Sequence, residues 1–249
     1  GLGVSDSSAP RNYFDRLSGV TVFEEQGLLG GSDHTIARDG VAERLHGMAA
    51  TPSLFRLLGV ARALGRSSTD EEGEFGSEPR VMLSHGLWQQ LYAGDPTVVG
   101  SDLVLTGQPF TIVGVMAEGF SFVDPDARFW VPLVFTEPQK QNPIANNFYN
   151  IGRLRPGATR EQAQAQVDST NESMLEALPR LQVLMTDAGF HTTVEPLQDL
   201  VVRNIRGPLY MLSAGALFVL LIGAVNLVNL TLAQARLRAR EQALRMTLG

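Results

Sequence analysis

The sequence predicts an α+β protein: an extracytoplasmic ectodomain of two subdomains, a β-α-β-type layer with an inserted mostly-β subdomain, followed by one transmembrane helix. Three observations predict it. Leu209–Ala233 runs about 25 positions without a charged side chain, enough at roughly 1.5 Å per residue to cross a hydrocarbon core of about 30 Å. The block 147–200 reads as strand, helix, strand. Between it and the N-terminal block lies a stretch dense in turn signals, with short apolar runs between them.

The elements follow in order. Asn12–Leu17 suits a short helix, Thr21–Leu28 a strand ending at Gly30-Gly31, and Val41–Ala50 a second strand after an Asp39-Gly40 turn. Thr51 is expected to cap a helix opening at Pro52, burying Leu54, Phe55, Leu57 and Leu58 and stopping at Gly59. Ser67–Pro79 reads as an exposed acidic loop. Its Asp70, Glu71, Glu72 and Glu74 lack the regular oxygen spacing that a cation site needs. Arg80–Leu83 suits a buried strand, and Gly86–Tyr92 a helix with Leu87, Trp88 and Leu91 on one face.

Turns at Gly94-Asp95-Pro96 and Thr106-Gly107-Gln108-Pro109 flank a strand at Leu103–Leu105, and Phe110–Met116 and Phe129–Val134 supply two more. Gly94, Gly100, Gly107 and Gly114 are expected to serve turns and close strand packing. Phe148–Leu154 is a strand. Pro156-Gly157 then leads to a helix capped by Thr159, with Glu161 and Gln162 in its first turn, an apolar stripe of Ala163, Val167, Met174, Leu175 and Leu178, and an end at Pro179. His191–Pro196 would return as a strand and close the β-α-β unit.

The chain has 20 basic and 26 acidic side chains; setting aside the four tail arginines and Glu241 leaves 16 against 25. An ectodomain this acidic is a poor partner for nucleic acid. Cysteine is absent, which excludes disulfides, thiol catalysis and zinc–thiolate sites from this segment. Lys140 is the only lysine and sits in Glu-Pro-Gln-Lys-Gln-Asn-Pro, so no phosphate-binding P-loop can form, and a Schiff-base site is disfavoured. His34, His46, His85 and His191 are scattered and read as isolated surface or packed histidines. Ser84-His85-Gly86 fails as a nucleophile turn because Met82 stands where the first glycine would be needed. No catalytic, cofactor-binding or metal-binding residues are therefore assigned.

The apolar span ends in an arginine-rich run, and Arg236, Arg238, Arg240 and Arg245 place the C-terminus on the cytoplasmic side by the positive-inside rule. Asn226 and Asn229, three apart, share a helix face with Gly223; amides are costly against lipid and glycine permits close approach, so this face is expected to meet another helix. The chain opens without Met or a signal-peptide pattern and stops straight after an amphipathic run, so it is expected to be a middle slice of a larger membrane protein.

Several motifs carry a resemblance: Leu83-Ser84-His85-Gly86-Leu87-Trp88, Gly94-Asp95-Pro96-Thr97-Val98-Val99-Gly100, Leu105-Thr106-Gly107-Gln108-Pro109-Phe110-Thr111-Ile112-Val113-Gly114-Val115-Met116, and Arg153-Leu154-Arg155-Pro156-Gly157-Ala158-Thr159. In this order they resemble the MacB-like periplasmic core domain. Asn226-Leu227-Val228-Asn229-Leu230, leading into Arg240, Glu241 and Arg245, resembles the second transmembrane helix and following segment of FtsX-like ABC transporter permeases. The likeness covers nearly the whole chain and extends in particular to the duplicated orphan permeases of acidobacteria, which lack a fused ATPase.

The resemblance implies an ectodomain of the split kind described above, domains at 1–208, 209–233 and 234–249 with the inserted β subdomain at about 60–135, and four membrane helices per half. It also implies a non-catalytic subunit of the bacterial inner membrane, with residues 1–208 periplasmic and the C-terminus cytoplasmic. Its ectodomain would be driven by ATP bound and hydrolysed on a separate cytoplasmic ABC ATPase. Other permease helices, a second copy and periplasmic proteins are the implied protein partners, beside the lipid bilayer. Arg240, Glu241 and Arg245 would lie on the ATPase-contacting segment, although Gln242 and Thr247 depart from the residues usual there. An orphan scaffold or signalling protein without an ATPase, and a membrane-tethered extracytoplasmic hydrolase, are the alternatives.

Overall fold

The computed structural model describes residues 2–38, 41–145, 147–187, 190–199 and 210–231. The chain divides into two compact units, Gly1–Asp199 and Leu200–Gly249.

The first unit is α+β, as expected. Its strands are β1 (Leu2–Ser8), β2 (Phe23–Gly31), β3 (His34–Arg38), β4 (Val41–Leu45), β5 (Met48–Ala50), β6 (Arg62–Gly65), β7 (Arg80–Leu83), β8 (Asp102–Leu105), β9 (Gln108–Met116), β10 (Phe129–Pro132), β11 (Phe148–Leu154) and β12 (Glu195–Pro196). Its helices are α1 (Pro10–Gly19), α2 (Pro52–Leu58), α3 (His85–Tyr92), α4 (Glu137–Lys140), α5 (Arg160–Glu176) and α6 (Pro179–Asp187). One mixed sheet has the order β12-β1-β11-β2-β5-β10-β7-β9-β6, with β8 paired to β9; β3 and β4 form a separate hairpin.

The first four strands of that order define the layer. β1 and β2 both run antiparallel to β11, which lies between them, and β12 runs antiparallel to β1. Hence β1-α1-β2 and β11-α5-β12 are two β-α-β units whose parallel strands are each split by a strand of the other. Everything from β3 to β10 is inserted between β2 and β11. β2 outlasts its partner β5, which pairs only with Leu29–Gly31, so the Glu24–Leu28 edge of β2 faces no strand on that side. Successive β2 residues face opposite ways. Gln26 and Leu28 face α1, where Gln26 Nε2 donates to Arg16 O (3.1 Å) and Leu28 packs with Tyr13. Glu25 and Gly27 face α2, where Arg56 pairs with Glu25 and a Cβ on Gly27 would stand 2.8 Å from Leu54 Cβ.

The insert carries a large apolar cluster, in which Val81, Leu83, Leu87, Leu105, Ile112 and Phe129 are 0 % exposed and Ile36 and Leu45 join from β3 and β4. Val20, Phe23, Ala163, Val167 and Val194 form a second cluster under α5. Thr106 and Gly107, at φ 49° and 80°, make the tight β8–β9 turn, and a Cβ on Gly114 would stand 2.5 Å from Arg66 O. These two glycines do the work expected of them.

Five expectations change. Val41–Ala50 is not one strand: β4 pairs with β3, and β5, beyond His46 and Gly47, pairs with β2 and β10. Thr51 precedes α2, but its side chain caps nothing there; its hydroxyl accepts from Leu28 N (2.9 Å), satisfying the edge of β2 that β5 does not reach. Ser67–Pro79 is not wholly a solvated loop: Glu72 is 9 % exposed and accepts from Arg66 Nη1 (3.0 Å), Arg66 Nη2 (2.6 Å) and Thr69 N (2.9 Å). Those bonds, Arg66 foremost, hold its carboxyl below the usual range. Pro179 ends one helix but also opens α6, since proline fits a first helical turn as well as a stop. Of His191–Pro196 only Glu195–Pro196 pairs as strand, against β1. The expected Asp39-Gly40 turn lies outside the described residues.

Candidate functional site: an apolar helix and a cleft beside β2

The second unit contributes α7 (Tyr210–Thr231), a helix of 22 residues with a mean hydropathy of 2.3 over its most apolar stretch and none of that stretch buried. It is the one helix among the described residues long and apolar enough to cross a membrane. Gly223, Asn226 and Asn229 fall at successive threes within it and are exposed. Helical geometry therefore stacks them along one side. Thr231, near its end, turns its hydroxyl back onto Leu227 O (3.0 Å) and Val228 O (2.8 Å), which spares that hydroxyl a partner elsewhere. Arg236, Arg238, Arg240, Glu241 and Arg245 lie outside the described residues.

In the first unit the unpaired edge of β2 opens into a cleft of about 750 Å³. α1 supplies Tyr13, Phe14 and Leu17 on one side, α2 supplies Ser53 and Arg56 on the other, and Asp70, Glu74 and Phe75 close it from the acidic segment. Its floor is polar: Tyr13 Oη donates to Gln26 O (3.5 Å), and the Thr51 and Ser53 hydroxyls lie 2.9 Å apart. Burial pushes the Tyr13 phenol above its usual range, so it stays a neutral donor. Arg56 is shared by Glu25 (2.9 Å) and Asp70 (2.7 Å), and Lys140 pairs with Glu137 (2.6 Å) while standing 5.5 Å over the Phe14 ring. The cleft was not legible in the sequence, because its residues come from separate segments that only the fold brings together.

Two further clusters escaped the reading of the sequence. Arg16 is 2 % exposed and forms no ion pair among the described residues; its Nη2 reaches Asn171 Oδ1 (3.3 Å) and Thr192 Oγ1 (3.0 Å), tying α1 to α5 and to the approach to β12. Burial lowers its pKa to about 10, so it remains charged at neutral pH. His46 is not isolated: Nδ1 lies 2.5 Å from Asp33 Oδ1 and Nε2 2.7 Å from Asp124 Oδ2. Two carboxylate acceptors require both ring nitrogens to donate, which only the imidazolium does. No group of three or more His, Cys, Asp or Glu among the described residues is arranged to hold a metal ion.

The His46 clamp predicts a pH dependence. Hydrogen bonding to Asp124, then to Asp33, raises the His46 pKa, so its contribution is complete below the unfolded value of about 6.5 and is lost as pH rises through the folded value. Asp33 is held below its usual range, chiefly by His46, so its share is lost only as pH falls through that depressed value. The difference in melting temperature between wild type and His46→Gln should therefore be greatest near pH 5 to 6 and shrink toward pH 9. Parallel curves across that range would show that the clamp has no linked proton.

The split β-α-β layer with its long insert, in a chain that also carries an apolar helix, is the architecture of permease ectodomains. A domain of a permease protein from Porphyromonas gingivalis superposes with a TM-score of 0.54 at 14% identity, over 72% of this chain and 83% of that one. The periplasmic region of MacB from Actinobacillus actinomycetemcomitans gives 0.53 at 12% identity, over 82% and 91%. Residues 12–170 match the MacB-like periplasmic core domain, and the chain belongs to that family. Macrolide export ATP-binding/permease protein MacB of Rhodospirillum rubrum is 23% identical over 252 residues, a match that takes in all of this chain and 37% of the relative. The chain thus spans little more than a third of that relative's length.

Proposed function

We propose that this chain is part of a non-catalytic permease subunit of a MacB/FtsX-like ABC transporter, in which a separate cytoplasmic ATPase drives motion of the periplasmic domain for export. The observation that carries the reading is the pairing, in one chain, of a MacB-like periplasmic core domain with an unburied apolar helix at Tyr210–Thr231. The R. rubrum relative is by its name both ATP-binding and a permease for macrolide export. With Lys140 as the only lysine, a P-loop for ATP must lie outside residues 1–249.

On this reading residues 1–208, with an inserted β subdomain at about 60–135, stand in the periplasm, 209–233 cross the inner membrane, and 234–249 begin the cytoplasmic part. The Gly223, Asn226 and Asn229 side of α7 packs on another permease helix, in an assembly of two copies. Arg236 and Arg238 hold the helix end at the inner surface, while Arg240, Glu241 and Arg245 meet the ATPase.

The test is affinity purification of the full-length protein in detergent, with ATP hydrolysis measured in the eluate. An ATPase should co-elute with the wild type and be lost with Arg240→Glu plus Arg245→Glu. Hydrolysis that survives the reversal would remove the tail from the coupling contact. If no ATPase accompanies the protein, the scaffold reading replaces export.

A further inference from the structure

We propose that the proton on His46 latches segment 120–126 to the base of the β3–β4 hairpin, and that its loss lets the segment open. Asp33 and His46 stand just beyond the last rung of that hairpin, where His34 lies opposite Leu45. Asp33 Oδ1, the imidazole and Asp124 Oδ2 thus form a bridge from the hairpin to the segment (2.5 and 2.7 Å). A neutral imidazole has one N–H, so it donates to one of these carboxylates and turns a lone pair toward the other. One arm of the bridge must then let go.

Backbone strain decides which arm it is. Asp124 N donates to Phe122 O (2.7 Å) across Val123, whose φ of 62° makes this a γ-turn of the rare, strained kind. A β-branched residue is an outlier at such an angle. It persists only where its surroundings over-determine it, and the Asp124 carboxylate does so: Oδ2 lies on His46 and Oδ1 accepts from Asp126 N (2.9 Å). Asp33 still has Arg44 (2.6 Å) when the imidazole is neutral, whereas Asp124 forms no other ion pair among the described residues. The Asp124 arm is therefore the one that opens, and the strain at Val123 is released with it.

The charges that act on His46 are those of Asp124 and Asp33. Arg44 reaches it through Asp33, and His34, on β3, is turned to Ser32 Oγ (3.2 Å) and Thr106 Oγ1 (3.1 Å). Arg128 gives its backbone N–H to His46 O (2.8 Å), while its guanidinium turns to Gln90 Oε1. β5 and β10, which follow these two residues, carry no titratable side chain. Protonation closes the latch, so it is shut at low pH and opens as pH rises. Opening lifts Phe120 from the Trp130 ring, 5.3 Å away and edge-on, and uncovers a tryptophan otherwise 2 % exposed. The latch lies within the Gly1–Asp199 unit, and its test does not involve the ATPase.

The test is amide hydrogen exchange of the 249-residue chain in neutral detergent, read by mass spectrometry at pH 6 and pH 9 and divided by the intrinsic chemical rate at each pH. The amides of Asp124, Asp126 and Arg128 report the latch, and those of the β2–β11 ladder report the global fold. Opening of peptide 120–128 should rise about ten-fold from pH 6 to pH 9 with the ladder unchanged, within the limit of roughly ten-fold per pH unit that one linked proton sets. His46→Gln carries its donors on a single nitrogen, which cannot span two carboxylates on opposite sides of a ring, so it should exchange fast at both pH values. Val123→Gly removes the strain and should stay protected at both, to within about two-fold. Opening that ignores pH in the wild type, His46→Gln as protected as the wild type at pH 6, or Val123→Gly opening as the wild type does would overturn the proposal.

Discussion

Gly47→Ala is expected to destabilise the Gly1–Asp199 unit by about 3 kcal/mol. A Cβ at Gly47 would stand 2.3 Å from Phe129 Cζ and 2.4 Å from Cε2, well inside contact distance. Neither side can give. Phe129 is 0 % exposed within the insert's apolar cluster, with the His34 ring edge-on at 5.6 Å. The Gly47 backbone is held as well, because Gly47 O accepts from Ser32 N (2.8 Å) and the preceding His46 O from Arg128 N (2.8 Å). Nothing lies within 4 Å of a Cβ placed on Gly86, inside α3, so Gly86→Ala is the control and should stabilise by about 0.5 to 1 kcal/mol through helix propensity. Chemical denaturation of the two variants measures the contrast, and a Gly47→Ala protein as stable as wild type would mean that the Phe129 packing is looser than its burial implies.

Arg16 offers a different kind of result, because its two obvious replacements should disagree. Arg16→Met removes a buried charge that forms no ion pair among the described residues and leaves chiefly Asn171 Oδ1 without its donor, since Thr192 Oγ1 keeps the bond from Asn171 Nδ2 (3.0 Å). Relief of charge burial, several kcal/mol, offsets an orphaned acceptor worth about 1 to 3 kcal/mol, so the methionine variant should lie within about 1 kcal/mol of wild type. Arg16 Nε already lacks a partner, as does the neighbouring Asn12 Oδ1, which lowers the value of what is lost. Arg16→Ala gains the same relief but empties the space between α1 and α5, at about 24 cal/mol per Å³ of cavity, and should be less stable than the methionine variant by about 2 kcal/mol. If methionine proves as damaging as alanine, the guanidinium holds α1, α5 and the approach to β12 together by its charge and not by its volume.

What could be read in the sequence was what is encoded over a few adjacent residues. The Phe148–Leu154 and Arg80–Leu83 strands match their expected limits, and α5 starts after Thr159 with Gln162 returning the cap bond, because apolar runs and caps are local signals. β1 was missed for the opposite reason. Leu2–Ser8 is rich in serine with only Leu2 and Val4 apolar, too short an alternation to signal a strand, and it is a strand because β11 and β12 pair with it on both sides. The same holds for β12, whose two residues are fixed by β1 alone. Apolar composition announced α7, whereas the cleft, the Arg16 cluster and the His46 clamp join residues up to 176 positions apart and have no local signature.

The pairing of β1 with β12 sets how the first unit can be loaded. Gly3 lies opposite Pro196 and Val4 opposite Glu195, in opposite directions, so the beginning of β1 and the end of β12 leave the sheet side by side. Tension drawing these two exits apart would act across the rungs of that ladder and open it as a zip, one rung at a time. Shear along the strands, which loads all rungs together and resists far more, is not available between neighbours so arranged. With only two residue pairs to part, β12 is the weak link: a small pull on these exits would peel it away while the long β2–β11 ladder behind it held.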